Sequence, residues 1–264
     1  LTLAGGTQVL SGDNTYTDDT NISAGTLILT GSLSSATDVV MTGTAIWDLQ
    51  AAQTIASLSM ASGNSITRSA GTSSLTVSGT SRLANSITTS GTQTYTEAVE
   101  LLSNTTLNTS ANINFISTVK AVSTNNYKGG TTRSLAINAA GEVLFNDRVG
   151  SEPMPSNDYQ SLFTNQYLSN LTVIAGRIKL NADVTTMNDQ LYNAAVTVGN
   201  NGSNGTTRTL LSIDPRIEFT KTIDDSVANT HNLIVRAVSI PGTESPKVIF
   251  GGAIGQNSTL LSLF

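Results

Sequence analysis

The stretch Ile87–Leu101, "ITTSGTQTYTEAVEL", returns at Val184–Val198 as "VTTMNDQLYNAAVTV". Aligned without gaps, Ile87 falls on Val184 and the two Thr-Thr pairs coincide. Gln93, Tyr95, Ala98 and Val99 meet Gln190, Tyr192, Ala195 and Val196. The match extends in both directions. Upstream, Leu75-Thr-Val answers Leu171-Thr-Val; downstream, Ile113-Asn-Phe answers Ile217-Glu-Phe, so that Phe115 meets Phe219. "SLAIN" at Ser134 answers "NLIVR" at Asn232, "LFNDRVG" at Leu144 answers "IFGGAIG" at Ile249, and "LSNL" at Leu168 has an echo in "LLSL" at Leu260. Two modules of somewhat over ninety residues follow one another, with a third beginning.

The offsets between partners are 96–97, then 104, 98, 105 and 92 residues, and each jump falls in polar or breaker-rich sequence. The matched blocks are short alternating runs, a period-two pattern that predicts strands with one buried face. Fixed strands with elastic connections are what a stacked coil permits, because a connection can lengthen without disturbing the levels above and below it. The strand groups recur at roughly 20-residue intervals, near one turn of a β-solenoid. About a dozen turns at ~4.8 Å each predict a rod roughly 55–60 Å long. The competing arrangement, a string of small β-sandwiches, is disfavoured by the shortness of the strand groups, the 5% aromatic content and the lack of a linker between modules.

Composition agrees with an all-β chain. Charged residues make up 12% and hydrophobic ones 38%, the reverse of the balance in disordered chains. Thr, Val and Ile favour a pleated backbone. The net charge of −5, with no basic run, leaves no cationic footprint for phosphates, so nucleic acid is not an expected partner; anionic lipid is disfavoured for the same reason. The absence of cysteine excludes a disulfide framework and thiolate metal sites. It fits either a reducing compartment or export of an unfolded chain. No apolar run approaches the roughly 18 residues of a membrane span. The chain starts and stops in mid-pattern, so it is expected to be a fragment of a longer protein, with any export signal outside it.

Residues 1–74 repeat differently, and "SGDNTYTDDTNISAGTLIL" from Ser11 resembles the autotransporter-associated β-strand repeat. Ser11, Gly12, Asn14, Thr15, Tyr16, Thr17, Thr20, Ile22, Ala24, Gly25, Thr26 and Leu27 fit that pattern; Asp18-Asp19 stand where the family has glycines. The later modules resemble the repeats of filamentous-haemagglutinin-like adhesins of Gram-negative bacteria. The resemblance implies a right-handed parallel β-helix exported to the outer cell surface, working as an adhesin, matrix scaffold or surface filament. Residues 1–74 then form the autotransporter-type repeats, 75–170 a first solenoid module with an excursion over 150–167, 171–262 a second, and 263–264 the start of a further one, all on one rod.

Chemistry-bearing constellations are sparse. His231 is the only histidine and is expected in a loop without a catalytic role. A G-x-S-x-G elbow is absent. Acid–base hydrolysis of glycosides needs two carboxyls facing one groove; the candidates Asp13, Asp18, Asp19 and Asp214, Asp224, Asp225 have no counterparts in the matching module. They are expected to be solvated turn formers. A calcium site at Asp13, Asp18 and Asp19 has only a weak basis, since the twelve-residue calcium loop is missing. Tyr95 and Tyr192 are expected to pack between turns with their hydroxyls at the edge, in preference to forming a sugar-stacking ladder. Trp47 is expected to be buried. No catalytic, cofactor or metal residue is assigned. The polar intervals Ser123–Arg133, Gly150–Gln166 and Gly199–Thr209 are the expected places for recognition, with a glycan, extracellular matrix or a cell surface as partner. Two other readings stand beside this one: a polysaccharide lyase or hydrolase on the same scaffold, and a self-associating filament subunit whose exposed strand edges pair with other chains.

Overall fold

The computed structural model describes residues 1–122, 133–151, 166–202, 205–213, 216–238 and 245–264. Among these residues the secondary structure is all strand, and every strand pairing is parallel. Each turn of chain contributes a strand segment to a first, a second and a third face, and each segment stacks on the one a turn earlier. Columns of partners read straight up each face. On the first face Thr20, Val39, Leu58, Ser81, Val99, Val119, Val149, Val184, Leu210 and Val235 are successive partners. The second face stacks Leu27, Trp47, Ile66, Ile87, Leu107, Ile137, Val173, Tyr192, Phe219 and Phe250. The third stacks Ile55, Val77, Tyr95, Phe115, Phe145, Leu180, Val198 and Asp225. The chain is a three-faced parallel β-solenoid.

Alternation explains the core. In Leu75–Val77, Gln93–Tyr95 and Ile113–Phe115 the outer residues of each triplet point inward and the middle one outward, because successive side chains take opposite sides of a strand. The inward residues form one continuous apolar column from Ile22 to Val235. Aromatic rings on two faces stack on one another: Tyr95 on Phe115 at 5.4 Å and Phe115 on Phe145 at 5.2 Å, then Tyr192 on Phe219 at 5.0 Å and Phe219 on the exposed Phe250 at 5.5 Å, all near-parallel. Parallel in-register stacking imposes this, since each ring lies about one strand spacing from the next.

The three edges differ. Early in the chain the edge from first to second face is crossed by unbroken strands, Thr20–Leu29, Asp38–Leu49, Ser81–Thr89 and Val99–Thr109. Left-handed residues at Gly43 (φ 60°), Gly63 (φ 100°) and Asn85 (φ 55°) make the bend. A side chain on Gly43 would collide with the Ser23 carbonyl of the preceding turn. The second-to-third edge is built from small residues, because the backbones of successive turns touch there. A Cβ on Gly31, Gly141, Gly176 or Gly252 would run into the turn below.

The repeated phrase acquires its geometry here. Ile87–Tyr95 turns from the second face to the third, whereas Val184–Tyr192 turns from the first face to the second. The second copy therefore lies three full turns and two faces further along. Tyr95 and Tyr192 occupy the same place in a corner but different faces of the rod. The other matches follow the same rotation: Phe115 is on the third face and Phe219 on the second, Leu135 on the second and Leu233 on the first.

Candidate functional site

The two tyrosine corners are built alike to the atom. Gln93 Nε2 donates to Thr89 Oγ1 (3.2 Å) and to the Asn108 carbonyl of the next turn (2.9 Å), and Tyr95 OH donates to Gln93 Oε1 (3.0 Å). In the second copy Gln190 Nε2 donates to Thr186 Oγ1 (3.1 Å) and the Leu211 carbonyl (2.8 Å), and Tyr192 OH donates to Gln190 Oε1 (2.9 Å). Both tyrosines are fully buried. Burial pushes both phenols well above their ordinary range. The expected position of the hydroxyls at the edge is therefore corrected. They lie in the core because glutamine two residues earlier points inward on the same strand and supplies an acceptor. Buried rings offer nothing for a sugar to stack on. Trp47 is likewise fully buried.

The third-face column changes character at its far end, where Asp225 follows Val198 in register. Asp225 is 3% and His231 2% exposed, which corrects the expectation of a solvated aspartate; His231 lies as expected outside a strand, just before Asn232–Ala237, but buried. The Asp225 carboxylate organises its own corner. It accepts from the backbone N–H groups of Val227 (3.1 Å), Thr230 (2.9 Å) and His231 (2.8 Å), and lies 2.5 Å from His231 Nδ1. Burial acts to raise its pKa, but these hydrogen bonds outweigh it and hold the carboxyl below the usual value. Asp224, 8% exposed and on the outer side of the same strand, accepts from the Asn257 and Ser258 N–H groups and from Asn257 Nδ2. Its pKa is also lowered by these bonds against the effect of burial. The solvated reading failed because a carboxylate whose acceptor sites are filled by turn amides no longer needs water. The available signal was "DDSVANTH", an aspartate followed by a turn with Asn229 in the left-handed region (φ 57°).

Arg208 lies on the neighbouring turn with its side chain buried inside the first face. Its guanidinium donates to the carbonyls of Gly199 (2.7 Å) and Gly205. Burial lowers its pKa, partly offset by the attraction of Asp183. Asn200 Nδ2 closes the cluster 2.8 Å from His231 Nε2. The outer imidazole nitrogen thus meets the Asn200 amide.

Other sites named from the sequence are placed as follows. Asp13, exposed in the short strand Asp13–Asn14, receives a hydrogen bond from Ser32 Oγ at 2.8 Å, and the Asp19 carbonyl accepts from the amino terminus. Among the described residues no three possible metal ligands come together. Asp214 lies outside the described residues, as do most of the intervals Ser123–Arg133 and Gly150–Gln166 and two residues of Gly199–Thr209. Sequence reasoning did not single out an open groove of about 650 Å³ running over the second-to-third edge. Ala175, Gly176, Ala194, Gly251 and Gly252 form its floor, with Lys221 beside it. It exists because close backbone stacking at that edge admits only small residues.

What the fold defines is a rod of stacked parallel turns. Residues 5–32 match the passenger-associated-transport-repeat family. That stretch is similar to autotransporter passenger repeats, of the kind carried by chains secreted to the outer surface of Gram-negative bacteria. No curated protein and no solved structure gives a significant match to the chain.

Proposed function

We propose that this chain is a non-catalytic segment of a passenger exposed at the outer surface, a rigid rod that sets reach and displays its lengthened intervals to a glycan, matrix or cell-surface partner. The observation that carries the reading is where those intervals attach. The residues flanking 123–132, 214–215 and 239–244 leave the first face and enter the second, and Val149 and Leu168, on either side of 152–165, both stack on the first face against Val184 and Thr186. Contacts gathered on and beside one face of a stiff scaffold suit attachment. The buried carboxylates are engaged by turn amides, which supports a role without acid–base chemistry.

The test is adhesion of bacteria displaying the full-length protein, with residues 123–132 and 152–165 each replaced by a short Gly-Asn turn. Loss of binding to glycan arrays or host-cell surfaces, with circular dichroism of the segment unchanged, is expected. Full binding by both variants would overturn the display role and leave the segment a spacer.

A further inference from the structure

The protein contains one histidine, and its ring sits between partners that fix its protonation. Nδ1 lies 2.5 Å from Asp225 Oδ1, and Nε2 lies 2.8 Å from Asn200 Nδ2. The orientation of the Asn200 amide is set by its second bond, since Oδ1 already accepts from the Gly202 N–H at 3.0 Å. The amide nitrogen therefore faces the ring, and Nε2 must be the acceptor. Nδ1 carries the hydrogen and donates it to Asp225, which makes the imidazole neutral in this arrangement.

The charges around the ring are few. Asp225 faces it from its own corner, and Asp224 is turned away toward Asn257 and Ser258. From the turn below come Arg208, on the Gly199 and Gly205 carbonyls, and Asp183, which accepts from the Thr209 N–H and attracts Arg208. The turn above, residues 254–264, has no ionisable side chain.

We propose that His231 and Asn200 form a proton-operated clasp, closed on neutral imidazole, that holds the chain at Asn200–Gly202 and opens on acidification. A solvent proton adds to the Nε2 lone pair while the Nδ1–H stays on Asp225. The inner half of the network becomes an ion pair and tightens. The outer half becomes donor against donor, Nε2–H facing the Asn200 NH₂ group. The amide either turns its oxygen to the ring, abandoning the Gly202 N–H, or swings away; both leave Gly202 without its acceptor. Release is local, because Asn201 Nδ2 still donates to the Asn146 carbonyl at 2.9 Å. The inference adds a pH response to one of the intervals singled out for recognition and is independent of whether that interval binds anything.

Nitrogen-15 NMR of the purified segment reads the clasp directly, since all imidazole signals belong to His231. The Nδ1–H tautomer is expected at neutral pH. The protection factor of the Gly202 amide, corrected for the intrinsic pH dependence of exchange, should fall about fivefold or more as the imidazole nitrogen-15 signals report protonation in an acid series, the loss of one hydrogen bond. Protection at Val196 and Gly199, which bond to Thr222 and Leu180 carbonyls, should hold. Asn200→Asp must reverse the sign. Its carboxylate accepts from the Gly202 N–H and from a protonated Nε2–H together, so acid should raise protection. His231→Gln should flatten the response. An Nε2–H tautomer at neutral pH, a fall in Gly202 protection that persists undiminished in His231→Gln, or a fall of the same sign in Asn200→Asp would each overturn the clasp. The Asn200→Asp arm leaves the buried Asp225–His231 pair intact, so it decides the matter even if His231→Gln unsettles the corner.

Discussion

Removing both partners of the Gln93–Tyr95 hydrogen bond should cost less than the separate removals together. Tyr95→Phe deletes the donor and leaves Gln93 Oε1 without its phenol hydrogen in a fully buried place. An unsatisfied buried acceptor costs about 1–2 kcal/mol. Gln93→Leu strands two groups, the Tyr95 hydroxyl and the Asn108 carbonyl. At about 1–3 kcal/mol each, less the gain from a more apolar side chain, the expected loss is about 2–4 kcal/mol. In the double variant the hydroxyl is gone and only the carbonyl is orphaned, so Tyr95→Phe should be neutral or stabilising on the Gln93→Leu background. The coupling should be about 1–2 kcal/mol. Because stability in a stacked array is local, the assay is hydrogen exchange at Thr94 and Asn114, supported by urea unfolding. The same cycle at Gln190 and Tyr192 should give the same coupling, as the bonds there match to within 0.1 Å. If Tyr95→Phe cost as much on the Gln93→Leu background as alone, the closed network would not be what holds the corner.

Three further outcomes follow from groups already described. Tyr95 and Tyr192 should be silent in an alkaline absorbance titration that ionises exposed tyrosines; their folded pKa values are raised, so their contribution is complete below about pH 10 and is lost as pH rises beyond it. Asp224 and Asp225 have lowered folded values, so their contribution is present above about pH 4 and declines as pH falls through those values; amide exchange at Asn257 and Ser258 should quicken in acid before that at Phe115. Gly43→Ala should destabilise by about 1–3 kcal/mol in thermal or urea unfolding, since alanine is strained at φ 60° and its Cβ meets the Ser23 carbonyl.

Much of the fold was legible because period-two alternation and a long repeat are properties of sequence. Leu75-Thr-Val and Ile113-Asn-Phe announce their inward residues without help from neighbours. The rotation of the repeat was not legible: every face of the solenoid uses the same alternation, and connections of unequal length hide how many faces lie between Tyr95 and Tyr192. Their buried hydroxyls were within reach, since Gln93 and Tyr95 are two apart and must share a side. The Asp225–His231 corner was harder. An aspartate before a turn looks the same whether its oxygens meet water or the amides of Val227, Thr230 and His231, and only the folded path distinguishes them.

The edges also explain why the chain grows where it does. At the second-to-third edge successive backbones touch: the N–H of Gly91 donates to Ser73 (2.6 Å), that of Gly141 to Ala111 (2.9 Å) and that of Gly176 to Gly141 (2.8 Å). Glu142 N–H also bonds to Asn112 Oδ1 at 2.8 Å. Six Gly-Ser residues placed between Ser110 and Ala111 would displace the Ala111 acceptor and shift Asn112. With about 1 kcal/mol for each of two bonds and more for the disturbed stack, a loss of about 2–4 kcal/mol is expected. The same six residues added between Ile213 and Arg216 lengthen a connection at the first-to-second edge. There the closure term grows by only about 0.6 kcal/mol per doubling of length, so the cost should stay near 1 kcal/mol. Urea midpoints and exchange at Phe115 and Phe219 compare the two. Equal costs would mean that the crowded edge does not limit insertion, and the gathering of long intervals on one side would then need a cause outside the packing. Unequal costs would mark the second-to-third edge as the one whose close stacking limits insertion.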